Sequence, residues 1–252
     1  MSQLPPVVAR MIKGSLFFFP PLALLFWLGT PLGFWAALLL AFLLELLPAL
    51  ALAQLPLVED EGPLPRVPVY VSSAAVILFI GWLALMVGRG EFGLEAMGLG
   101  APEWGVVGSW TLGLSLAALL LLWLFVVIRR RLGIRESVLL VQILPKTGKE
   151  KGIFVLLSMA AGVGEELAYR GFLMPALTLL MGWSWGAALL SSAVFGLLHA
   201  YQGWLGIFRT AALGFVLAGS FIVAGTLWPA ILAHAILDVV AGVFLGESLV
   251  KE

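Results

Sequence analysis

An all-α, polytopic transmembrane helical bundle of about eight spans is the fold this 252-residue sequence predicts. Three observations predict it. First, 62% of the residues are hydrophobic and only 11% are charged, against about 25% charged in an ordinary soluble domain. A soluble core of this length has no room for that much apolar surface, so lipid is the solvent. Second, apolar runs bounded by Gly, Pro and charge recur along the whole chain, each near the roughly 20 residues that a spanning helix needs. Third, the basic residues fall on one side of those runs. The same arithmetic argues against other classes. Lys+Arg and Asp+Glu balance at 14 each with no basic stripe, against nucleic-acid binding. The absence of cysteine excludes disulfides and thiolate metal sites. The runs also lack the period-two alternation of an outer-membrane barrel.

The elements follow in order. Span 1 is 15–29, behind Arg10 and Lys13; no small-residue cleavage site follows it, so it reads as a span and not as a signal peptide. Span 2 is 33–54. The linker 55–68 holds Glu59, Asp60, Glu61 and four prolines and reads as a solvated turn. Span 3 is 67–88, followed by a Gly-rich, mildly acidic loop at 89–105. Span 4, 106–128, stops at Arg129, Arg130 and Arg131. Segment 129–151 is the strongly basic one, with Arg135, Lys146, Lys149 and Lys151 besides those three. Within it, 134–144 (IRESVLLVQIL) reads either as an interfacial helix or as a plain loop. Spans 5 to 8 are 150–173, 184–200, 207–225 and 229–246. Most of the ten tryptophans fall near span ends, an ordinary aromatic belt.

Orientation comes from counting Lys and Arg by side. With the N-terminus inside, the inner loops and termini hold Arg10, Lys13, Arg66, the seven basic residues of 129–151, Arg209 and Lys251, twelve in all; the outer loops hold only Arg89. Both termini are therefore expected in the cytoplasm. Short loops and no organelle-targeting signal point to a prokaryotic inner membrane.

The informative residues are ionisable groups inside spans, which cost several kcal/mol unless paired or hydrated and mark function by default. They are Glu45 in span 2; Glu165, Glu166 and Arg170 in span 5; His199 at the end of span 6; and His234 and Asp238 in span 8. Both histidines of the chain are in this set. Glu166 and Arg170, Phe195 and His199, and His234 and Asp238 are each i, i+4, which puts each pair on one helical face. Glu165 lies about 100° around the helix from Glu166, so the two carboxylates do not share one direction. Glu166 is then the partner of Arg170, and Glu165 points elsewhere, as a general base would. Each pair also has an ordinary reading. Glu166–Arg170 reads equally as a helix-stabilising ion pair, His199 as an interfacial histidine, Phe195 as packing, and Glu45 as an interhelical hydrogen-bonding group. The joint occurrence favours function.

These residues resemble a known family. Glu165-Glu166-Leu167-Ala168-Tyr169-Arg170 matches an EExxxR motif, Phe195-Gly196-Leu197-Leu198-His199 matches FxxxH, and His234-Ala235-Ile236-Leu237-Asp238 matches HxxxN/D. Order and helical context are those of the CAAX protease and bacteriocin-processing (CPBP, or Abi) family, which includes the Ras-converting CAAX prenyl endopeptidase. The likeness covers roughly 150–245, and spans 1–4 carry no named motif. The chain then divides into N-terminal helices 1–4 (1–133) and catalytic helices 5–8 (134–252), integrated into one membrane domain.

The resemblance implies peptide-bond hydrolysis inside the membrane, with a peptide or lipidated-protein substrate and lipid as partners. Glu165 would activate water, His199 would help hold it, and His234 with Asp238 would stand at the scissile carbonyl. Asn in the last place would donate to an oxyanion; an aspartate donates only when protonated. Asp238 is therefore expected to orient His234 instead. No cofactor is required on this reading. The alternative is Zn²⁺ held by Glu165, His199 and His234; metal-free chemistry is preferred because those ligands come from three helices with no HExxH among them. Two membrane-embedded aspartates, which an aspartyl protease needs, are absent; a Ser/His pair is not excluded by count, although Ser158, Ser191, Ser192 and Ser220 lack a GxSG context. The non-enzymatic alternative is a bacteriocin-immunity or scaffold protein of the same fold. One ruler does not close: if every helix end sits at a membrane face, His199 falls about two turns deeper than His234 and Glu165 allow, at about 1.5 Å per residue.

Overall fold

The structure is a computed structural model that describes residues 29–59 and 64–246. Span 1 (15–29) lies almost wholly outside the described residues. Those residues form helices and no strands. Helix α1 runs over 34–59, with a π-helical turn at Phe42–Leu46. It is followed by α2 (Arg66–Glu91), the single-turn α3 (Gly93–Ala96), α4 (Trp104–Arg131), the short α5 (Val138–Ile143), α6 (Gly148–Met181), α7 (Ser184–Leu198), α8 (Gly203–Ala224) and α9 (Trp228–Phe244). Five stretches are long and apolar enough to cross a membrane: Phe34–Ala53 of α1, α2, α4, α6, and Ala200–Ala224 containing α8. Helices α7 and α9 are apolar but shorter. Seven of the eight expected segments are therefore helices, and 134–144 contains one short helix.

Local chemistry sets the ends. Helix α6 opens on a capping box: Thr147 Oγ1 accepts from Glu150 N at 3.2 Å, and Glu150 Oε2 accepts from Thr147 N at 3.0 Å. It closes at Gly182, where φ is +67°. The helix runs on through Pro175, and directly after Glu165 and Glu166 it widens into a π-helical segment, Leu167–Leu173, which carries Arg170 and whose residues are all buried. Such wide turns concentrate at functional sites.

Helix α6 is the centre of the bundle, packed against α2 on one side and α9 on the other. The cause is the run Ala160-Ala161-Gly162-Val163-Gly164 immediately before the glutamates. A Cβ on Gly164 would lie 2.5 Å from the Ile77 carbonyl of α2, and one on Gly162 would lie 2.7 Å from the Ile231 carbonyl of α9. Small residues let membrane helices approach to backbone contact. Gly196 does the same for α7 and α8, where a Cβ would meet the Ile207 carbonyl at 2.6 Å. Gly164 and Gly196 directly adjoin motif residues, Glu165 and Phe195.

The depth mismatch has a structural reason. Helix α9 does not start at the rim of the bundle. Leu227, just before it, is fully buried and its N–H donates to the Gly98 carbonyl at 2.9 Å, beneath the turn between α3 and α4. Counted from the α6–α7 turn, Met181 to Glu165 is sixteen residues and Ser184 to His199 fifteen, so both lie about 22–24 Å in and are level. The recessed start of α9 brings His234 to the same depth.

Candidate active site

The three motifs converge. Glu166 is wholly buried and receives two donors on one oxygen: Arg170 Nη1 at 2.7 Å and His234 Nδ1 at 2.8 Å. Arg170, also wholly buried, sends Nη2 to the Gly214 carbonyl of α8 at 2.9 Å, and its guanidinium carbon stands 4.7 Å from the centre of the Phe195 ring. One buried ion pair thus ties α6, α8 and α9 together and fixes the face of His234. Gly214 is required there, because a Cβ would come within 2.8 Å of Arg170 Nη2.

The other face of His234 is different. Its Nε2 lies 3.7 Å from Glu165 Oε2 and 3.7 Å from Asp238 Oδ2. These are ion-pair separations without a direct hydrogen bond. The imidazole is therefore anchored by Glu166. Asp238 was expected to orient it, but at 3.7 Å it stands on the opposite, open side.

His199 is held by its own helix. Its Nδ1 lies 2.9 Å from the Phe195 carbonyl. A carbonyl only accepts, so Nδ1 carries the proton and Nε2 is left for another partner. The Phe195 ring links the two histidines, 4.8 Å from the ring of His199 and 6.1 Å from that of His234. Expected as packing, Phe195 packs against the site itself.

Glu165, His199, His234 and Asp238 line one cavity of about 520 Å³. Its remaining wall is mostly apolar, including Leu122, Leu139, Leu140, Ile143, Phe154 and Leu213. It runs from the four polar residues to α5, at the end of the bundle where α4 finishes in Arg129, Arg130 and Arg131. Glu166 and Arg170 are not among its lining residues. Glu45 lies apart in the π-helical turn of α1, and its Oε2 has no partner among the described residues.

Alternative chemistries can be set against this geometry. Ser158, Ser191 and Ser220 donate to the backbone carbonyls of Phe154, Tyr169 and Leu217, so none of them is paired with a histidine. Among the described residues no group of three or more His, Asp or Glu side chains stands in a metal-holding arrangement.

Residues 149–240 match the family model described as Type II CAAX prenyl endopeptidase Rce1-like. Over that segment the chain is similar to the Rce1-like CAAX proteases. The match spans α6 to most of α9 and contains all six motif residues, Glu165, Glu166, Arg170, His199, His234 and Asp238. The family resemblance drawn from the motifs is shown, and the Rce1-like family is one of proteases; with five helices able to cross a membrane, the chain is an integral membrane protein. No curated protein and no solved structure matches it.

Residues not singled out in the sequence also shape the site. Arg209, counted as a loop cation, lies in α8 and is buried; it donates to Glu136 at 3.0 Å and to Gln202 at 2.9 Å. Arg209, Glu136, Tyr201 and Gln202 all line the same cavity. The signal for Arg209 was its place inside the apolar run 207–225 itself, and α8, which starts at Gly203, carries it a turn and a half into the helix.

Proposed function

We propose that this protein is an intramembrane endopeptidase that hydrolyses a peptide bond of a membrane-associated substrate by glutamate-activated water. The observation that carries the reading is the two-faced setting of His234: Nδ1 bonded to buried Glu166, Nε2 facing Glu165 and Asp238 across a cavity. A gap of 3.7 Å leaves the reacting groups free to engage substrate and water.

In this reading Glu165 and His199 hold the water, and Glu165 takes its proton as oxygen attacks the carbonyl carbon. The carbonyl electron pair moves onto oxygen, and His234, as the imidazolium with Nδ1–H on Glu166, stabilises that oxyanion through Nε2–H. The C–N bond then breaks, and the proton on Glu165 passes to the leaving nitrogen. Glu166 and Arg170 hold His234 in place and touch no reacting atom. No step runs through a metal. With the basic end of the bundle in the cytoplasm, the cavity opens inward, in a prokaryotic inner membrane with both termini inside. The apolar wall suits an apolar or lipidated tail, with prenylated CAAX-type sequences as one class.

The test is incubation of purified protein with a prenylated CAAX peptide and a panel of transmembrane peptides. Cleavage is expected, abolished by Glu165→Ala in a protein that stays folded and membrane-inserted, and retained in the presence of chelator. Full activity of Glu165→Ala overturns the mechanism. Loss with chelator and recovery with Zn²⁺ overturns its metal-free form.

A further inference from the structure

The oxyanion is one donor short. His234 supplies one hydrogen bond, and the neighbouring position that would hold an amide donor in the HxxxN form of the motif is Asp238, which as a carboxylate only accepts. Another group on the cavity wall can donate. Tyr201 follows His199 in a single 3₁₀ turn, Ala200–Gln202, and its ring lies 5.9 Å from the His199 ring on the cavity wall shared with Glu165, His234 and Asp238.

The direction of its hydroxyl is set by a chain of hydrogen bonds. Arg209 donates through Nη1 to Glu136 at 3.0 Å and through Nη2 to Gln202 Oε1 at 2.9 Å. Arginine has no acceptor, so Gln202 must offer it the oxygen and keep its amide N–H₂ for the other side. That amide, Nε2, donates to the Tyr201 hydroxyl oxygen at 3.1 Å. With a lone pair taken by Gln202, the hydroxyl keeps its proton to give away. The turn itself is pinned, since Ser137 Oγ donates to the Tyr201 carbonyl at 2.6 Å and Gln202 N to the His199 carbonyl at 2.9 Å. Arg209, Glu136, Gln202 and Ser137, all buried or half-buried, thus hold the turn that carries Tyr201 and leave its O–H free to donate into the cavity.

The geometry points to Tyr201 as a catalytic residue whose hydroxyl donates the second hydrogen bond to the developing oxyanion. The bond forms as the carbonyl oxygen gains charge and the proton stays on tyrosine, so no atom is transferred. The inference rests on the endopeptidase reading above and adds a residue that the three motifs do not contain.

The experiment measures kcat and KM for Tyr201→Phe on whichever panel peptide the wild type cuts, beside Glu165→Ala. Removing one oxyanion donor costs about 10²–10³ in kcat in the best-studied case; with His234 still in place, Tyr201→Phe is expected to lower kcat by about 10- to 100-fold with KM within twofold. Adding Asp238→Asn to Tyr201→Phe is expected to restore much of the loss, because asparagine supplies the missing donor; a purely structural role would not be rescued there. Gln202→Leu, which keeps the hydroxyl but frees its direction, is expected to lose less than Tyr201→Phe, and it remains informative if Tyr201→Phe folds poorly. Wild-type kcat in Tyr201→Phe, or a rise in KM alone, overturns the assignment while an inactive Glu165→Ala leaves the endopeptidase reading standing. If the wild type cuts no peptide, both fall.

Discussion

The two sides of His234 are built to opposite rules. On the Nδ1 side everything is buried and bonded: Glu166 and Arg170 are fully enclosed, at 2.7 Å from each other, with Gly214 and the Phe195 ring completing the shell. On the Nε2 side Glu165 and Asp238 stand off at 3.7 Å, partly exposed to a cavity. The first arrangement resists change and the second invites it. A buried ion pair is weak evidence for net stability, but removing one partner is costly because the other charge stays behind. The dry side is therefore the frame, and the wet side is where atoms can move.

The largest expected effects come from breaking the two sides separately. Glu165→Gln is expected to lower kcat by about 10²–10⁴ while the thermal midpoint of the purified protein holds. Arg170→Leu is expected to cost about 3–5 kcal/mol of stability by stranding Glu166, read as a lower midpoint and earlier aggregation. Activity then falls in step with the folded fraction. If Glu165→Gln destabilises as much as Arg170→Leu, the division between frame and reacting face fails.

A smaller effect tests why the two sides meet at all. Gly164→Val places branched carbon against the Ile77 carbonyl, from which even a single added Cβ would lie only 2.5 Å away. Overpacking of this kind costs about 1–3 kcal/mol, and here it separates α2 from α6 one residue before Glu165. A loss of both midpoint and kcat is expected. An unchanged kcat would show that the cavity face tolerates a shift of its helix.

The same contrast explains what was legible in the sequence. The frame announced itself: Glu166, Arg170 and His234 are ionisable groups in apolar runs, and i, i+4 spacing paired the first two. The all-helical bundle followed from composition. Which residue anchors His234 was not legible, because Glu166 and His234 are 68 positions apart and spacing reports only neighbours on one helix. Depth failed for a related reason, since the recessed start of α9 depends on a contact between Leu227 and Gly98. Tyr201, Gln202 and Glu136 carried no signal, as polar residues beside a loop look like solvated ones until the chain folds over them.

The smallest expected effect falls on the residue that belongs to both sides. The Phe195 ring covers the Arg170 guanidinium at 4.7 Å and touches His199 at 4.8 Å, while its carbonyl receives His199 Nδ1. Phe195→Leu keeps that carbonyl and an apolar side chain but removes the π face. Loss of the cation–π contact costs about 0.5–2 kcal/mol. His199, losing a ring on one side, is expected to orient less well, and kcat to fall by about tenfold. The ratio of the two effects is the informative quantity. A midpoint shift with full kcat would make Phe195 part of the frame, and a kcat loss at constant midpoint would make it part of the reacting face. Loss of both, in a variant that alters no hydrogen bond, would mean that the division at His234 is bridged through an aromatic ring, and that a change on the dry side reaches the cavity by packing.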